Sequence, residues 1–200
     1  MFWDRVAWIY DVFANVINRK ADRALCAVVG GLVEPSDTVL ECACGTGLLT
    51  GVLAKKCKEL IATDFSVPML RRAQRKYGSL PNVRFQQGNI LELPYRDGQF
   101  DAVVAANVIH LLDEPLRALG ELSRVCRPGG RIILPTYMNG TDQGGTNPVS
   151  QAIGNAGANF KREFTLDSYR AFLTAAGYPD SEYTLCPGRI PCAVAVLHKK

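Results

Sequence analysis

The residues most suited to chemistry in this sequence form a glycine-rich turn. A strand-like apolar pattern leads through Glu41 into Ala43, Gly45 and Gly47, and a helical pattern begins at Leu48. Glycine lacks a Cβ, so the backbone of such a turn can approach a ligand closely and can adopt a positive φ at little cost. A strand that passes through a glycine turn into a helix is typical of cofactor sites in α/β proteins. The sequence therefore predicts that this turn holds a cofactor.

Two acidic residues accompany the turn. Glu41 lies in the first strand pattern, and Asp64 ends a second one, 17 residues after Gly47. The carboxyl ends of neighbouring parallel strands meet at one edge of a sheet, so both carboxylates are expected beside the turn. A carboxylate in that place can accept hydrogen bonds from two ribose hydroxyls. Asp64 is therefore the predicted ribose contact.

The charge of Glu41 helps to choose among cofactors. The dinucleotide pattern GxGxxG fits only in part, because Thr50 stands where the third glycine belongs, and no Walker lysine follows. Glu41 would repel a pyrophosphate group but would suit a ligand that carries an ammonium or sulfonium group. An NAD-dependent oxidoreductase stays open as an alternative, since it shares the strand, the turn and the acid.

Five motifs resemble, in order and spacing, those of the class I S-adenosyl-L-methionine (SAM) methyltransferases. They are ECACGTG at 41–47, DFSVPML at 64–70, GNI at 88–90, FDAVV at 100–104 and RPGGR at 127–131. The resemblance covers roughly residues 8–198. It implies an enzyme that moves the methyl group of SAM to a small-molecule acceptor and releases S-adenosyl-L-homocysteine. A protein of this family that binds SAM without transferring a methyl group is a second alternative.

The resemblance also implies a set of cofactor contacts. In that family the acid and the glycines of the first turn hold the methionine part of the cofactor, and the acid of the second strand holds the ribose. Residues after the third strand line the adenine, apolar side chains form its walls, and a residue past the fourth strand lies beside the methyl group. By resemblance the cofactor residues are Glu41, Ala43, Gly45, Gly47, Asp64, Phe65, Met69, Asn89, Ile90 and Asn107.

Three further stretches look like the ubiquinone and menaquinone biosynthesis methyltransferases. They are VAWIYD at 6–11, ACGTG at 43–47 and the tail at 148–178. Residues 107–112 (NVIHLL) instead follow the pattern of small-molecule methyltransferases in general. A quinone-type precursor is therefore one candidate acceptor among several.

Three residues are candidates for a catalytic role. Methyl transfer needs a general base only when the acceptor must lose a proton. His110 follows the fourth strand, where α/β folds build substrate pockets, although a helix-start residue that only packs is the alternative. Tyr10 belongs to an N-terminal aromatic cluster that either covers the site or staples a helix to the domain. Tyr137 ends the fifth predicted strand and is the third candidate.

Short β-rich runs alternate with helical patterns from Thr38 onward, which predicts an α/β fold. We expect a single Rossmann-like, seven-stranded, mostly parallel sheet with helices on both faces. The predicted strands are 38–44, 59–65, 83–87, 100–106, 131–137, 182–185 and 192–198. A turn rich in proline and glycine links the last two strands, so they are expected to pair antiparallel, with the last strand antiparallel to the sheet.

Helix signals fill the gaps between these strands. Ser66 and Pro68 open one helix that Gly78 closes, and Asp113 with Pro115 opens the next. Another helix is predicted between Thr165 and Gly177, and a stripe of leucine and valine at 48–53 predicts a helix after the glycine turn. We expect each apolar stripe to face the sheet.

Length and segment patterns predict one structural domain overall. At 200 residues the chain is long enough for a single core with additions. Residues 1–33 are expected to form an N-terminal helical cap or lid, and residues 34–200 the methyltransferase domain. The glycine- and asparagine-rich segment 139–159 is interpreted as a functional insertion or lid.

The composition disfavours several other classes of protein. The net charge of +4 is small and dispersed, which argues against nucleic acid as a partner. Apolar stretches are far shorter than the roughly 20 residues that a membrane span needs, and no signal peptide is recognisable, so a cytoplasmic location is expected. Seven scattered cysteines, without a CxxC motif and with two histidines, predict free thiols and no metal site. The oligomeric state does not follow from the sequence.

Overall fold

The computed structural model describes residues 18–141, 145–146 and 161–200. The helices are α1 (Arg19–Gly31), α2 (Thr50–Leu53), α3 (Val67–Tyr77), α4 (Pro115–Val125) and α5 (Leu166–Ala175), with a 3₁₀ turn at Ile109–Leu111. The strands are β1 (Thr38–Cys42), β2 (Glu59–Asp64), β3 (Val83–Gln87), β4 (Phe100–Ala105), β5 (Cys126–Tyr137), β6 (Gly140–Thr141), β7 (Gly145–Thr146), β8 (Glu182–Cys186) and β9 (Cys192–His198).

Seven of these strands form one sheet in the order β3-β2-β1-β4-β5-β9-β8. Strands β1 to β5 run parallel, and β9 pairs antiparallel with both β5 and β8. The predicted Rossmann-like, mostly parallel sheet with an antiparallel last strand is confirmed. Strand order reverses between β1 and β4, and ligands of such sheets bind at the carboxyl ends of the strands beside that reversal.

The sheet separates two hydrophobic layers. On one side Leu25 and Val29 of α1 pack with Val39 of β1 and Leu53 of α2. On the other side the cluster contains residues of α4, α5 and the opposite face of the central strands, among them Leu40, Val103, Leu122, Ile132 and Tyr169. Because both faces are covered, the central strands are mostly apolar, as parallel strands usually are, although β1 contains Glu41 and β4 contains Asp101.

The structure confirms the capping residues that the sequence predicts for α3. The Ser66 hydroxyl accepts a hydrogen bond from the Met69 amide at 3.4 Å, Pro68 lies in the first turn, and the helix ends before Gly78. Proline fixes a helical φ and lacks an N–H that the first turn would leave unpaired, so it suits this place. The predicted start and end of this helix are confirmed, and they fix how the chain leaves β2.

Three features differ from the sequence prediction. Helix α2 covers only Thr50–Leu53, because residues 45–49 are used for the turn. Strand β5 begins at Cys126, which pairs with Phe100 before a register shift, so it starts five residues earlier than 131. Strands β6 and β7 form a short antiparallel pair within the segment that was expected to be a lid.

The N-terminal part of the described chain is tied to the far end of the sheet. The side-chain nitrogen Nδ2 of Asn18 donates to the Ile190 carbonyl at 3.0 Å, and the backbone amide of Ile190 donates to Asn18 Oδ1 at 3.3 Å. Helix α1 follows and packs on β8, β9 and α2. Residues 18–33 of the predicted cap are therefore packed on the sheet, and residues 1–17 lie outside the described residues.

Within the described ranges, no helix combines the length and the apolar character needed to cross a bilayer.

Candidate functional site

A cavity of about 490 Å³ lies at the carboxyl ends of β1, β2, β3 and β4. The sequence-predicted residues that line it are Ala43, Gly45, Asp64, Phe65, Met69, Asn89, Ile90 and Asn107. The other lining residues are Thr63, Ser66, Gly88, Leu91, Ala106, Val108, Leu111, Leu112, Asp113 and Glu114. The sheet thus brings together eight of the ten predicted cofactor residues around one space.

Backbone conformation explains the residue types of the turn. Gly45 has φ 57° and Gly47 has φ 90°, a region that residues with a Cβ rarely adopt. Ala43 also has a positive φ of 52°, which costs free energy for a non-glycine residue. A Cβ added to Gly45 would meet no atom within 4 Å. Gly45 therefore borders open space, and its backbone is accessible from the cavity.

Gly47 serves a different purpose from Gly45. A Cβ on Gly47 would lie 2.8 Å from Cε2 of Tyr77, which is closer than real Cβ contacts. Gly51 has the same neighbour, at 2.5 Å from Cε1 of Tyr77. The two glycines make room for the Tyr77 ring where α3 ends. Gly47 does not line the cavity, so the structure places this predicted cofactor residue against a helix.

Asp64 links the glycine turn to the start of α3. Its Oδ2 accepts a hydrogen bond from the Gly45 amide at 2.7 Å, and its Oδ1 accepts one from the Ser66 amide at 2.8 Å. These two bonds fix the plane of the carboxylate at the cavity wall. Each carboxylate oxygen has two lone pairs, so a carboxylate can accept more than one hydrogen bond on each oxygen.

The outer part of the cavity has apolar walls. Met69 and Ile90 are buried, whereas the Phe65 side chain is 50% exposed. Asn89 accepts a hydrogen bond from the Leu91 amide at 3.0 Å through its own Oδ1, which shapes the loop after β3. A flat aromatic ligand could pack between these apolar side chains.

Glu41 lies away from the cavity. It shares a face of β1 with Val39, and its Oε2 accepts a hydrogen bond from the Thr50 hydroxyl at 2.6 Å. Burial raises the pKa of Glu41 to about 8; the hydrogen bond from Thr50 lowers it, and the negative charge of Asp64 raises it. The carboxyl therefore holds its proton at neutral pH unless a cation approaches.

Thr50 explains the missing third glycine of the dinucleotide pattern. The sequence showed Thr50 as a departure from GxGxxG. In the structure its hydroxyl is the hydrogen-bond donor to Glu41, which a glycine could not provide. The departure therefore fits a buried acid at this place.

Asn107 marks the inner end of the cavity. It has a positive φ of 52°, its amide donates to the Pro135 carbonyl at 2.7 Å, and its Oδ1 lies 3.9 Å from Cys192 Sγ. Strained backbone of this kind is often found at functional sites. Asn107 thus connects the cavity to the ends of β5 and β9.

Of the three candidate catalytic residues, His110 and Tyr137 lie in the described part of the chain, and neither lines the cavity. His110 is buried in the 3₁₀ turn, and its carbonyl accepts hydrogen bonds from the amides of Lys161 and Arg162. Burial lowers the pKa of His110 to about 4, so its imidazole is neutral and a weak base at pH 7. Tyr10 lies outside the described residues, as does most of the segment 139–159. Tyr137 is buried beneath α1.

Sequence reasoning missed one acid near Tyr137. The Tyr137 hydroxyl donates to Oδ1 of Asp22 at 3.2 Å, and both residues are buried. Asp22 shares a helix face with Leu25 and Val29, three and seven residues later. An acid inside an apolar stripe is a signal that could have identified it from the sequence. For Leu111, Leu112, Asp113 and Glu114, which form one rim of the cavity, we find no such signal.

The described residues of the cavity have the chemistry that SAM would need. Among the described residues there is no group of three or more histidine, cysteine or acidic side chains that could hold a metal ion. The cavity offers a fixed carboxylate, an open glycine backbone and apolar walls. Those features match a ribose, an extended chain and an adenine.

Comparisons with known proteins agree with this description. Residues 40–134 match a family model described as a methyltransferase domain. The demethylmenaquinone methyltransferase of Renibacterium salmoninarum is 33% identical over 143 residues, which are 70% of this chain and 58% of that protein. The chain thus spans little more than half the length of this relative.

Solved structures share the fold over nearly the whole chain. A SAM-dependent methyltransferase from Thermotoga maritima superposes with a TM-score of 0.77 at 22% identity, covering 100% of this chain and 99% of its own. The [4+2]-cyclase SpnF superposes with a TM-score of 0.78 at 18% identity, covering 98% and 93%. Likeness at this level of identity describes the fold alone. The family model and the curated relative show that this chain carries a methyltransferase domain, with the match to the family model at residues 40–134.

Proposed function

We propose that this protein transfers the methyl group of SAM to a small-molecule acceptor. The observation that carries the proposal is Asp64, whose carboxylate is fixed by the amides of Gly45 and Ser66 at the wall of a cavity of about 490 Å³. The cofactor supplies an electrophilic methyl group on a sulfonium centre. The protein supplies binding, alignment of the acceptor and exclusion of water.

The proposed contacts follow the cavity from one end to the other. Asp64 accepts hydrogen bonds from the ribose hydroxyls. Phe65, Met69 and Ile90 enclose the adenine, and Asn89 borders it. The backbone at Ala43 and Gly45 holds the methionine part.

Glu41 acts on the same cofactor from behind the turn. A buried acid of raised pKa ionises when a cation approaches, and the ammonium and sulfonium groups of SAM carry that charge. Thr50 keeps the carboxyl in place through its hydrogen bond. Gly47 contributes by leaving room for Tyr77. Asn107 lies at the acceptor end of the cavity.

A quinone-type precursor is the proposed acceptor. The curated relative of Renibacterium salmoninarum is named a demethylmenaquinone methyltransferase, and a quinol is a small apolar molecule with ionisable hydroxyls. That residues 1–17, which include Tyr10, cap the acceptor stays a prediction from the sequence. A closed cap would exclude water and lower the local dielectric, which favours a reaction in which charge disappears.

Calorimetry tests the cofactor. SAM and S-adenosyl-L-homocysteine should bind the wild-type protein, whereas NAD should not. Asp64→Asn should weaken SAM binding by about 10-fold or more, because hydrogen bonds to a charged group contribute roughly 1.5–3 kcal/mol each. The control is Asp97→Asn, an exposed acid whose side chain is 81% accessible, and it should bind SAM like wild type.

An assay with reduced demethylmenaquinone and a panel of other phenols and amines then tests the reaction. Methyl transfer to the quinol supports the proposed acceptor. Tight NAD binding without SAM binding would favour the oxidoreductase alternative. SAM binding without transfer to any member of the panel would favour a non-catalytic module.

A further inference from the structure

Asp22 is a buried acid that the cofactor site does not use. It lies in the first turn of α1, and its side chain points into the layer between α1 and the sheet. Oδ1 accepts the hydrogen bond from Tyr137, and Oδ2 is buried without a hydrogen-bond partner among the described residues. A carboxylate with a buried, unpaired oxygen is poorly stabilised, so it has a high affinity for a proton.

Asp22 interacts with Tyr137 on β5, Cys26 on α1 and Cys192 on β9. Cys186 on β8 acts electrostatically on both cysteines, and Glu41 on β1 acts on Cys26. Burial raises the pKa of Cys26 to about 11 and that of Cys192 well above its ordinary value. Burial raises the pKa of Asp22 to about 6, and the hydrogen bond from Tyr137 opposes that rise. Asp22 is thus the member of this group that titrates near pH 6.

Tyr137 connects Asp22 to the inner end of the cofactor cavity. It is the last residue of β5 and pairs with Cys192 of β9. Cys192 Sγ donates to Oδ1 of Asn107 at 3.9 Å, and Asn107 lines the cavity. The Asn107 amide is also bound to the carbonyl of Pro135, two residues before Tyr137. The pair therefore lies at the carboxyl edge of the sheet, next to where Asn107 ends the cavity.

We propose that Tyr137 and Asp22 form a proton relay that serves the methyl acceptor. The proposal rests on the proposed function, and it assigns the acceptor to molecules whose nucleophilic group carries an ionisable proton, such as a phenol or quinol. Tyr137 does not line the cavity, but it keeps 8% of its surface exposed, and an acceptor that extends past Asn107 reaches its hydroxyl. Asp22 positions the Tyr137 hydroxyl and takes up the proton. His110, with its low pKa, has no part in the relay.

The relay balances in protons and charge. The acceptor hydroxyl gives its proton to Tyr137 Oη, and the proton of Tyr137 passes to Oδ1 of Asp22 along the existing hydrogen bond. The acceptor uses the electron pair so released to form its bond to the methyl carbon. Where the new bond is to a ring carbon beside the hydroxyl, the hydrogen of that carbon moves as a proton to the oxygen, and the ring becomes aromatic again. The bond between sulfur and that carbon breaks, and its electron pair stays on sulfur. The cationic sulfonium and the anionic carboxylate both become neutral.

Rate measurements with reduced demethylmenaquinone at saturating SAM test the relay. Wild-type kcat should rise with pH and level off above about 6, because protonated Asp22 cannot take up a proton. Asp22→Asn and Tyr137→Phe should each lower kcat by a factor on the order of 10² and remove this limb of the pH profile. SAM affinity, measured by calorimetry, should stay within about twofold of wild type for both variants.

Two matched controls separate catalysis from packing. Asp37 is a buried acid bound to Arg131 at the opposite edge of the sheet, and Tyr169 is a buried phenol that donates to the Leu134 carbonyl. Asp37→Asn and Tyr169→Phe should lower thermal stability but keep the wild-type pH profile. If Asp22→Asn behaves like these controls, the relay is wrong.

Carbon-13 NMR of ring-labelled tyrosine gives a readout that needs no acceptor. The Cζ signal of Tyr137, assigned through Tyr137→Phe, should shift with a midpoint near pH 6 in wild type and lose that shift in Asp22→Asn. A Tyr137 signal that is flat through this range overturns the relay. If wild type shows the shift yet does not methylate the quinol, the proposed acceptor fails while the coupled pair stands.

Discussion

At the scale of single residues, burial decides how the two acids near the glycine turn behave. Asp64 receives two backbone hydrogen bonds at the cavity wall. Glu41 receives one hydroxyl and is enclosed by the layer beneath α1 and α2. The sequence presents both as acids at strand ends and cannot separate them, because burial depends on helices that are distant in the chain.

Replacement of Glu41 by glutamine should change how stability depends on pH. The pKa of Glu41 is about 8 in the folded protein against an ordinary value of 4.5, so between these pH values the folded state holds a proton that the unfolded state lacks. Wild-type stability should therefore fall as pH rises from about 4.5 to about 8. Glu41→Gln removes this slope, since its amide does not titrate and can still accept from Thr50.

Thermal unfolding at pH 5 and pH 8 measures the effect. At pH 8 the variant should melt at a higher temperature than wild type, because each 1 kcal/mol gained in the free energy of unfolding raises Tm by about 2–4 °C in a domain of this size. Near pH 4.5 the two proteins should melt at similar temperatures. Calorimetry should show that SAM affinity of wild type increases as pH rises through about 8, while that of Glu41→Gln stays flat and weaker. Identical pH profiles of wild type and variant would show that Glu41 does not titrate in this range.

At the scale of elements, the glycine turn combines two separate requirements. Gly45 borders the cavity and Gly47 makes room for Tyr77, although the sequence gives both the same role. The strand, the turn and the start of α3 at Ser66 were predictable, because caps and backbone conformations are local properties. The purpose of Gly47 was not, since Tyr77 lies thirty residues away in the chain.

Alanine at the two glycines should separate these requirements. Gly45→Ala meets strain from a positive φ of about 1–2 kcal/mol but no clash, and its Cβ enters the cavity. It should therefore weaken SAM binding more than it weakens stability. Gly47→Ala meets the same strain and the Tyr77 ring at 2.8 Å, so it should lower the free energy of unfolding more than Gly45→Ala. Denaturant unfolding and SAM calorimetry on both variants check this ordering, and the reverse ordering would contradict the assignment.

At the scale of the whole molecule, the start of α1 packs against a loop that is far away in the chain. The loop between β8 and β9 rests on its first turn, where a Cβ on Gly188 would lie 2.5 Å from Cβ of Ala21 and 2.7 Å from Oδ1 of Asn18. The same helix turn carries Asp22, which accepts the hydrogen bond from Tyr137. The sequence predicts a cap over residues 1–33. The hydrogen bond between Asn18 and Ile190 spans 172 residues of chain, so no local pattern could have predicted it.

Gly188→Ala should push this loop from α1 and destabilise the protein by about 1–3 kcal/mol. Gly31→Ala is the matched control on the same helix. Its Cβ would meet nothing within 4 Å, and alanine is the better helix former by about 1 kcal/mol, so this variant should be slightly more stable. Urea unfolding of both variants measures the two signs. Equal stability of Gly188→Ala and wild type would mean that the loop moves without cost.

The sequence by itself determined the alternation of strands and helices, the glycine turn, the cap at Ser66 and the acid that ends β2. These follow from hydrophobic period, backbone conformation and capping, which act over a few residues. Tertiary structure decided that Thr50 holds Glu41, that Tyr77 fills the space beside Gly47, and that Asp22 meets Tyr137 across 115 residues of chain. Such contacts depend on which helix packs on which face of the sheet. That is determined only when the helices pack on the sheet and form the two hydrophobic layers.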